Sequence, residues 1–511
     1  MTIEDPAEKG FTTDRREPDE TTDQEQASEL TLDAEGLPMA PTGAAVADLS
    51  TVADLSALDV RPGAGVPREY HFPRFERFRL SNGLTVLHAH LPGRALLAVQ
   101  LMLPGGGWTE PAELGGVTVL TARAMPEGTL RRDANEFIEA GERLGAEIHA
   151  EATWEALTAA MEVPRSHFAA ALELLSEMVF EPAFAADEVE RLRDERMNDL
   201  LQAWSDPRRR AERVFPETIF GPASPYSRPL AGVQSTVRGL DRAAVVARHA
   251  ALLNPASATL VIAGDLGGQP LDQIAEEHLG KRVGAGKAAA APYTAPDSVP
   301  AGGRLVLVDR PGAPQSEIRI GHVGVGRKTP DFHAIAVLNA ILGGTFNSRL
   351  NRILREEKGY TYGISSSFDM RRQPGPFVVR TAVETAVTLP SITEILRIVR
   401  EFGQSDVEAD EIDIARDYLV GVFPLRFEAA SQVAGALGGL VALDLPDDEL
   451  DRYRPGVAAI SAADVRAAAN RNIRPDELAV VVVGDAASVE PELRAAGLGE
   501  LTVVAADASP E

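Results

Sequence analysis

The chain has 511 residues, of which 44% are apolar and 25% are charged, and this composition indicates a soluble globular protein of several domains. Its 50 basic and 76 acidic side chains give a net charge of −26, which nucleic-acid phosphates or an anionic membrane face would repel. The absence of cysteine excludes disulfides, thiolate nucleophiles and Cys-ligated metals. We therefore expect neither a nucleic-acid partner nor a membrane partner.

Residues 1–60 differ in composition from the rest of the chain. They carry 15 acidic and only three basic side chains and almost no aromatic ones, so they cannot bury enough apolar surface to offset the entropy lost on ordering. We predict a disordered acidic tail over residues 1–68, with a short docked helix near residues 44–60. The start of the chain lacks the cationic and apolar stretches of a secretory signal, and this favours a cytoplasmic protein.

Two stretches of the remaining chain repeat at a constant offset. Gly83 and Gly303 open similar apolar strands, Gly264 and Gly484 close similar ones, and the members of each pair are 220 residues apart. A constant offset of this kind indicates a duplicated domain. The predicted divisions are an N-terminal domain over residues 69–279, a Gly/Ala/Pro-rich linker over 280–303, a C-terminal domain over 304–500 and a tail over 501–511.

In each half, strands come first, several helices follow, and a short fully apolar strand closes the half. The predicted helices are residues 113–125, 133–145, 164–179, 186–204 and 241–251, and then residues 330–342, 388–403, 408–423, 428–440 and 461–472. Strands mixed with segregated helices indicate an α+β fold, in which each domain is a mainly antiparallel sheet packed with helices.

The first half contains no complete catalytic motif. None of the nine histidines lies in an H-E-x-x-H or H-x-x-E-H motif. The one close pair, His88 and His90, would share a strand face, and without a third ligand we interpret both as solvent-facing. The three glycines at residues 105–107 are not followed by the Lys-Ser/Thr of a phosphate loop.

The best candidate from the residues alone lies in the second half. Gly343 and Gly344 form a predicted turn before a helix that is capped by Ser348 or the asparagine before it and ended by a glycine. Arg355 would lie in the last turn and Tyr362 just beyond it, so a guanidinium and a phenol could converge on one carbonyl oxygen or oxyanion. The alternative, a helix C-terminal arginine and a core tyrosine, stays open on the residues alone.

From about residue 70 to residue 500, the chain resembles the insulinase/pitrilysin family of inverted-motif zinc metallopeptidases, in the two-domain form of processing-peptidase subunits. The similar stretches are the SNGLTV strand at residues 81–86, Gly115-Gly116 and Glu127-Gly128-Thr129, the loop at 225–232, the closing strands at 255–265 and 475–485, and residues 343–362. The resemblance implies two homologous domains arranged as one half of a clamshell.

Active family members bind zinc through H-x-x-E-H, and the corresponding segment here has the same length but other residues. The resemblance places Val119 and Arg123 at the two histidines, Ala122 at the glutamate base and Asp199 at the third ligand. Isopropyl, methyl and guanidinium groups neither bind zinc nor accept a proton from water. We expect no metal or cofactor in this chain and interpret Asp199 as an exposed helix residue.

The motif in the second half is retained. The resemblance implies that Arg355 and Tyr362 hydrogen-bond the substrate backbone and the oxyanion. The neighbouring residues predicted to bind substrate are Gly343, Gly344, Phe346 and Ser348. A chain with this pair and without zinc ligands suits the non-catalytic subunit of a heteromeric peptidase, so we predict a peptide substrate and a homologous partner that holds zinc in an intact H-x-x-E-H.

Two alternatives remain. The chain could be a peptide-binding or scaffold protein with no role in proteolysis, like the family members that serve as scaffold subunits in respiratory complexes. It could also be a zinc peptidase that uses other ligands, which one tightly bound zinc equivalent in the purified chain would indicate.

Overall fold

The computed structural model describes residue 65 and residues 68–284, 303–404 and 407–506. The predicted acidic tail, apart from residues 65 and 68, its helix near residues 44–60 and most of the predicted linker lie outside these ranges. No helix within the described ranges combines the length and the apolar character that crossing a membrane requires.

The first half forms a six-stranded sheet. Its strands are β1 (Phe75–Arg79), β2 (Thr85–His90), β3 (Leu96–Pro104), β4 (Glu147–Ala152), β5 (Ala156–Pro164) and β6 (Thr259–Gly264). The order across the sheet is β1-β2-β6-β3-β5-β4, with β2 and β6 parallel and every other pair antiparallel. β6 is buried along its whole length, as its continuous apolar run predicts.

The second half forms a second six-stranded sheet. Its strands are β7 (Arg304–Asp309), β8 (Gln315–Val323), β9 (Ile364–Phe368), β10 (Pro376–Glu384), β11 (Ala479–Gly484) and β12 (Glu500–Val504). The order is β12-β7-β11-β8-β10-β9, with β7 parallel to both β11 and β12. Five strands therefore repeat the order and directions of the first sheet, and the predicted α+β fold is confirmed. The gene duplication itself stays a prediction.

Helices cover the faces of both sheets. Those of the first half are α1 (Val117–Ala124), α2 (Ala134–Arg143), α3 (Phe168–Phe180), α4 (Ala186–Ser205), α5 (Pro207–Ile219), α6 (Gln234–Val237), α7 (Arg242–Leu252) and α8 (Leu271–Ala275). Those of the second half are α9 (Phe332–Asn339), α10 (Thr388–Phe402), α11 (Ala409–Val422), α12 (Ala430–Leu443), α13 (Glu449–Ala458), α14 (Ala462–Asn472) and α15 (Ala486–Ala495).

Each predicted helix is present with shifted ends, but three long ones were not predicted. α5, α13 and α15 contain Pro216, Pro455 and Pro491 in their interiors. An interior proline removes one backbone hydrogen bond and normally ends a helix, so the sequence pattern argued against these elements. Tertiary packing stabilises them, because each buries an apolar stripe in the described structure.

The two halves exchange helices. α12 belongs to the second half in sequence but packs on the first sheet, where Leu437 and Val433 join a cluster with Val261 on β6. α5 belongs to the first half but packs on the second sheet, where Phe215 joins a cluster with Val481 on β11. Since a sheet has two apolar faces to cover, each half supplies the cover for one face of the other.

The ends of the predicted domains need correction. β12 extends the second sheet to Val504, so the predicted tail over residues 501–511 begins too early. At the other end, the ring centroid of Phe72 lies 5.1 Å from that of Phe427, and the Phe72 N–H donates to Oδ1 of Asp451 at 2.9 Å. The segment predicted to open the first domain therefore packs against the second half.

Candidate functional site

Helix α1 carries the positions at which the resemblance places the zinc motif. It begins after Gly116, whose φ is +94°, and the Glu110 carboxylate accepts hydrogen bonds from the N–H groups of Gly116 (2.9 Å) and Thr118 (2.6 Å). Val119 and Arg123, four residues apart, lie half-buried on one face of the helix, while Ala122 is buried. The backbone of the motif is thus in place without its ligating side chains.

An ion pair joins α1 to α4 at this point. Nη2 of Arg123 donates to Oε2 of Glu195 at 2.9 Å, and Glu195 also accepts from Nη1 of Arg191 at 2.5 Å. Asp199 lies one turn further along α4 and is exposed, as predicted. The sequence predicted a cation at Arg123 without a partner being assigned, although the acidic residue one helical turn before Asp199 could have indicated one.

These residues do not fit a zinc ion. A guanidinium stands where an imidazole would bind, and its positive charge would repel the metal. Within the described ranges, no three His, Cys, Asp or Glu side chains come together as a group that could hold a metal ion. The prediction that His88 faces solvent was wrong. Its side chain is buried, and its Nδ1 lies 3.3 Å from Oε1 of Glu76.

Two glycine-containing stretches singled out from the sequence pack against each other beside α1. A Cβ on Gly232, whose φ is +75°, would lie 2.3 Å from the carbonyl oxygen of Gly115. A Cβ on Gly116 would lie 2.8 Å from the carbonyl oxygen of Ala231, which itself accepts from Nε of Arg196 on α4 at 3.0 Å. The loop at residues 225–232 therefore fixes the start of α1 relative to α4.

The three glycines at residues 105–107 do not form a phosphate loop. Nη2 of the buried Arg248 donates to the carbonyl oxygens of Gly105 (2.5 Å) and Gly106 (2.9 Å). The N–H groups of Gly105 and Gly107 donate to the carbonyl oxygens of Glu155 and Thr153 at 2.8 and 2.9 Å. Because these donors are used within the fold, they cannot cradle an anion.

In the second half, the two glycines of the candidate motif serve packing. Gly343 and Gly344 close a π-helical turn, Ala340–Gly344, rather than form a separate turn as predicted. A Cβ on Gly343 would lie 2.7 Å from the backbone N of Ser366 on β9. Glycine at this position thus lets the helix end approach the edge strand closely.

The helix that carries Arg355 is tied to the same edge strand by a buried amide. Nδ2 of Asn351 donates to the carbonyl oxygen of Ile364 at 2.8 Å and to that of Thr345 at 3.2 Å. The buried Ser348 starts this helix, since its carbonyl accepts from the N–H of Arg352 at 2.9 Å. A π-helical segment, Asn351–Glu357, follows and ends before Gly359, whose φ is +65°. Asn351 is thus a positioning residue, which its place in the sequence pattern did not indicate.

Arg355 and Tyr362 lie on either side of this helix end. The Arg355 guanidinium is half-buried and its carbon lies 4.2 Å from the centroid of the exposed Phe346 ring. Tyr362 is 96% exposed and makes no side-chain hydrogen bond in the described structure, so it is not a core tyrosine. Tyr360 packs against the core instead. In the described structure, no hydrogen bond or ring contact joins Arg355 to Tyr362, and their convergence on one substrate atom stays a prediction.

The loop that presents Tyr362 is held by hydroxyl groups. Oγ1 of Thr361 lies 2.8 Å from the carbonyl oxygen of Ala382 and 2.9 Å from that of Gly363, and can donate to either. Oγ1 of Thr381 on β10 lies 2.9 Å from Oγ1 of Thr361 and completes this network. The phenol therefore projects into solvent from a backbone that is anchored on both sides.

Two family models match the chain in succession. The insulinase model, for peptidase family M16, matches residues 85–232, and the model described as the peptidase M16 inactive domain matches residues 239–419. An uncharacterized zinc protease of Mycobacterium leprae is 26% identical over 365 residues, which are 71% of this chain and 81% of that protein. A non-peptidase homolog of Helicobacter pylori is 23% identical over 356 residues, 68% of this chain and 79% of that protein.

Solved structures share the fold. The peptidase M16 inactive domain from Pseudomonas fluorescens superposes with a TM-score of 0.74 at 22% identity, covering 80% of this chain and 98% of that one. A protease from Helicobacter pylori gives a TM-score of 0.75 at 18% identity, covering 81% and 100%. Since the two family models together match more than half of the residues, in chain order, the chain belongs to the insulinase family of peptidases, M16.

Proposed function

We propose that this chain is the non-catalytic subunit of a heteromeric zinc peptidase that processes peptides or protein leader segments. The observation that carries the proposal is the contrast between the two halves. Ala122 and Arg123 remove the base and a ligand from the first half, whereas the second half presents Tyr362 to solvent on an anchored loop beside Arg355.

Such a chain can contribute to catalysis only through another chain. Peptide hydrolysis at zinc needs a metal-bound water, a base and donors that stabilise the oxyanion. Here, Arg355 offers guanidinium N–H groups and Tyr362 a hydroxyl, while a homologous partner with an intact H-x-x-E-H would supply zinc and base. The names of the relatives, a zinc protease in one case and a non-peptidase homolog in another, fit a family that includes both kinds of subunit.

The peptide substrate would lie over the exposed surface between Phe346 and Tyr362. β9 begins two residues after Tyr362 and, in the described structure, pairs only with β10. Its other edge is not open to a further strand, because Asn351 bonds both the N–H and the C=O of Ile364 and the helix end at Gly343 packs against Ser366. Phe346, 62% exposed, would give an apolar side chain to that peptide near Arg355, and Gly343, Gly344 and Ser348 would shape the adjoining surface.

The proposal is tested with the full chain and its partner. Each homologous H-x-x-E-H chain of the same organism is co-expressed with this chain, and complexes that co-purify are assayed on a peptide library for products that neither chain yields alone. In a cleaving complex, we expect Arg355→Ala and Tyr362→Phe to lower kcat by roughly 10²-fold, the usual effect of removing one oxyanion donor.

Matched controls lie close by. Arg352 is an exposed arginine on the same helix that pairs with Glu357 at 2.5 Å, and Tyr418 is an exposed tyrosine on α11. Arg352→Ala and Tyr418→Phe should leave kcat unchanged. If Arg355→Ala and Tyr362→Phe also leave it unchanged, the catalytic role is wrong. If no zinc-bearing chain associates, the chain is instead a peptide-binding or scaffold protein.

A further inference from the structure

A cavity of about 410 Å³ lies between α4, α5 and the end of the loop at residues 225–232. This volume falls within the ~300–1,000 Å³ typical of small-ligand sites. Its lining is Arg196, Asp199, Leu200, Ala203, Trp204, Arg209, Arg210, Glu212, Arg213, Pro216 and Pro229. The cavity thus combines a cationic set, the four arginines, with an apolar set that includes Leu200, Trp204 and Pro216. Two acidic residues complete the lining.

The cationic set exceeds its counter-charges, although the whole chain carries a net charge of −26. Four arginines and two acidic residues line the cavity. Nε of Arg213 pairs with Oε1 of Glu217 at 3.3 Å, and Oε1 of Glu212 pairs with Nε of Arg208 at 3.4 Å, so Arg196, Arg209 and Arg210 remain with Asp199. Nε of Arg196 donates to a carbonyl oxygen rather than a carboxylate. Burial lowers the pKa of Arg196; the Asp199 carboxylate opposes this shift, and the positive charges of Arg123 and Arg209 add to it. An anionic ligand would relieve this accumulation of positive charge.

Arg210 provides an unused donor at the cavity wall. Its side chain is only 6% exposed, and its Nε has no hydrogen-bond partner, although Nη2 donates to the carbonyl oxygen of Ala505 at 3.2 Å. A buried cationic N–H without an acceptor is costly, and such groups are normally satisfied in a native protein. The Nε atom is itself almost fully covered, so an anion in the cavity would stabilise this guanidinium through its charge rather than by accepting from Nε.

The apolar set limits the kind of anion that fits. The guanidinium carbon of Arg210 lies 4.0 Å from the Trp204 ring centroid, and that of Arg213 lies 5.3 Å from it. Leu200 and Pro216 line the wall beside this stack. A guanidinium over an aromatic ring can still bind a carboxylate through its N–H groups. The apolar wall would receive the carbon atoms attached to it.

We propose that this cavity binds a carboxylate of the peptide substrate, either its free C-terminal carboxylate or an acidic side chain. The inference rests on the proposed function, because it assumes that the chain binds peptides. It adds a specificity site on α4 and α5, in the half that lacks zinc ligands, and it selects substrates with negative charge.

Isothermal titration calorimetry with the full chain tests the site. Three acetylated hexapeptides of the same neutral sequence are compared: one with a free C-terminal carboxylate, one amidated, and one amidated with a single internal glutamate. We expect the amidated neutral peptide to bind roughly tenfold more weakly than at least one carboxylate peptide, the effect of losing a charge-assisted hydrogen bond. The free-acid and glutamate peptides distinguish the two sources of the carboxylate.

Arg209→Gln and Arg196→Gln should each lower the affinity for the carboxylate peptide roughly tenfold and leave the affinity for the amidated peptide unchanged. Arg209 is exposed, so its replacement does not threaten folding. The control is Arg143→Gln on α2, which removes the same charge outside the cavity. The inference is wrong if the free-acid, glutamate and amidated peptides bind with equal affinity. It is also wrong if both variants bind the carboxylate peptide as tightly as the wild-type chain does, or if none of the peptides binds. In each of these cases, the Arg355 and Tyr362 cleavage assay still decides the proposed function.

Discussion

Arg123 and Glu195 form an ion pair between α1 and α4, with Nη2 and Oε2 2.9 Å apart. Their side chains are 38% and 43% exposed, so the pair is worth no more than about 1 kcal/mol. Its importance is chemical rather than energetic. It holds a guanidinium at the position where the resemblance places a zinc-binding histidine.

This arrangement predicts that the chain takes up no zinc. After dialysis against zinc and removal of the excess, mass-spectrometric metal analysis should find far less than one equivalent in the wild-type chain. The triple change Val119→His, Ala122→Glu and Arg123→His restores two ligands and a base on an existing helix, and we expect it to raise zinc retention. One tightly bound equivalent in the wild-type chain would show that other ligands hold a metal.

Asn351 holds the Arg355 helix to β9, so its replacement should lower the stability of the protein. Asn351→Leu removes the donor to the carbonyl oxygens of Ile364 and Thr345, which lose a partner at 2.8 and 3.2 Å. We expect the free energy of unfolding to fall by about 2–4 kcal/mol, because buried acceptors are left unsatisfied. Urea denaturation measures the change. Asn347→Ala, at an exposed position in the same connection, should change stability by less than about 0.5 kcal/mol; equal losses would contradict the assigned role.

The exchange of helices predicts that the two halves unfold together. Leu437 on α12 is fully buried against the first sheet, so Leu437→Ala should cost about 2–5 kcal/mol through lost burial and a cavity. α12 belongs to the second half in sequence but packs on the first sheet. We therefore expect a single cooperative unfolding transition, and Leu437→Ala should shift all of it. Leu425→Ala, at a position 58% exposed, is the control. Two separate transitions, of which only one moves, would show that the halves are energetically independent.

Protonation of the buried His322 ring should lower the stability of the protein as the pH falls. Burial lowers its pKa from 6.5 to about 4, and the Arg474 cation acts in the same direction. Its Nε2 accepts from the N–H of Arg474 at 3.0 Å and its Nδ1 lies 2.8 Å from the carbonyl oxygen of Val323, so the native contacts need the neutral ring.

Since the unfolded state binds the proton more readily, stability from this group is complete above pH ~6.5 and is lost as the pH falls towards 4. Between pH ~7.5 and ~5, the His322 contribution to the loss is about 2 kcal/mol. His249 and His333, whose pKa values burial also lowers, act in the same direction. Chemical denaturation at both pH values should therefore give a smaller difference for His322→Asn than for the wild-type chain; an unchanged difference would contradict the prediction.

Several features of the fold and of the candidate site could be predicted from residue type and spacing. The hairpin around Gly83 and the buried run of β6 follow from local periodicity, which the backbone geometry obeys directly. The position of Gly359 after the Arg355 helix was also correct, because a positive φ at a helix end favours glycine. The partners of Arg123 and Asn351 were not predicted, since they depend on which segments meet across 72 and 13 residues of chain.

Residue identity and local pattern were enough to predict the α+β class, the insulinase family and the side chains at Val119, Ala122 and Arg123 that cannot bind zinc. The folded chain was needed to show that α5 and α12 cross between the halves and that Tyr362 is exposed while Tyr360 packs inward. An apolar stripe or a ring is equally well buried against any complementary surface, and the fold determines which surface is available.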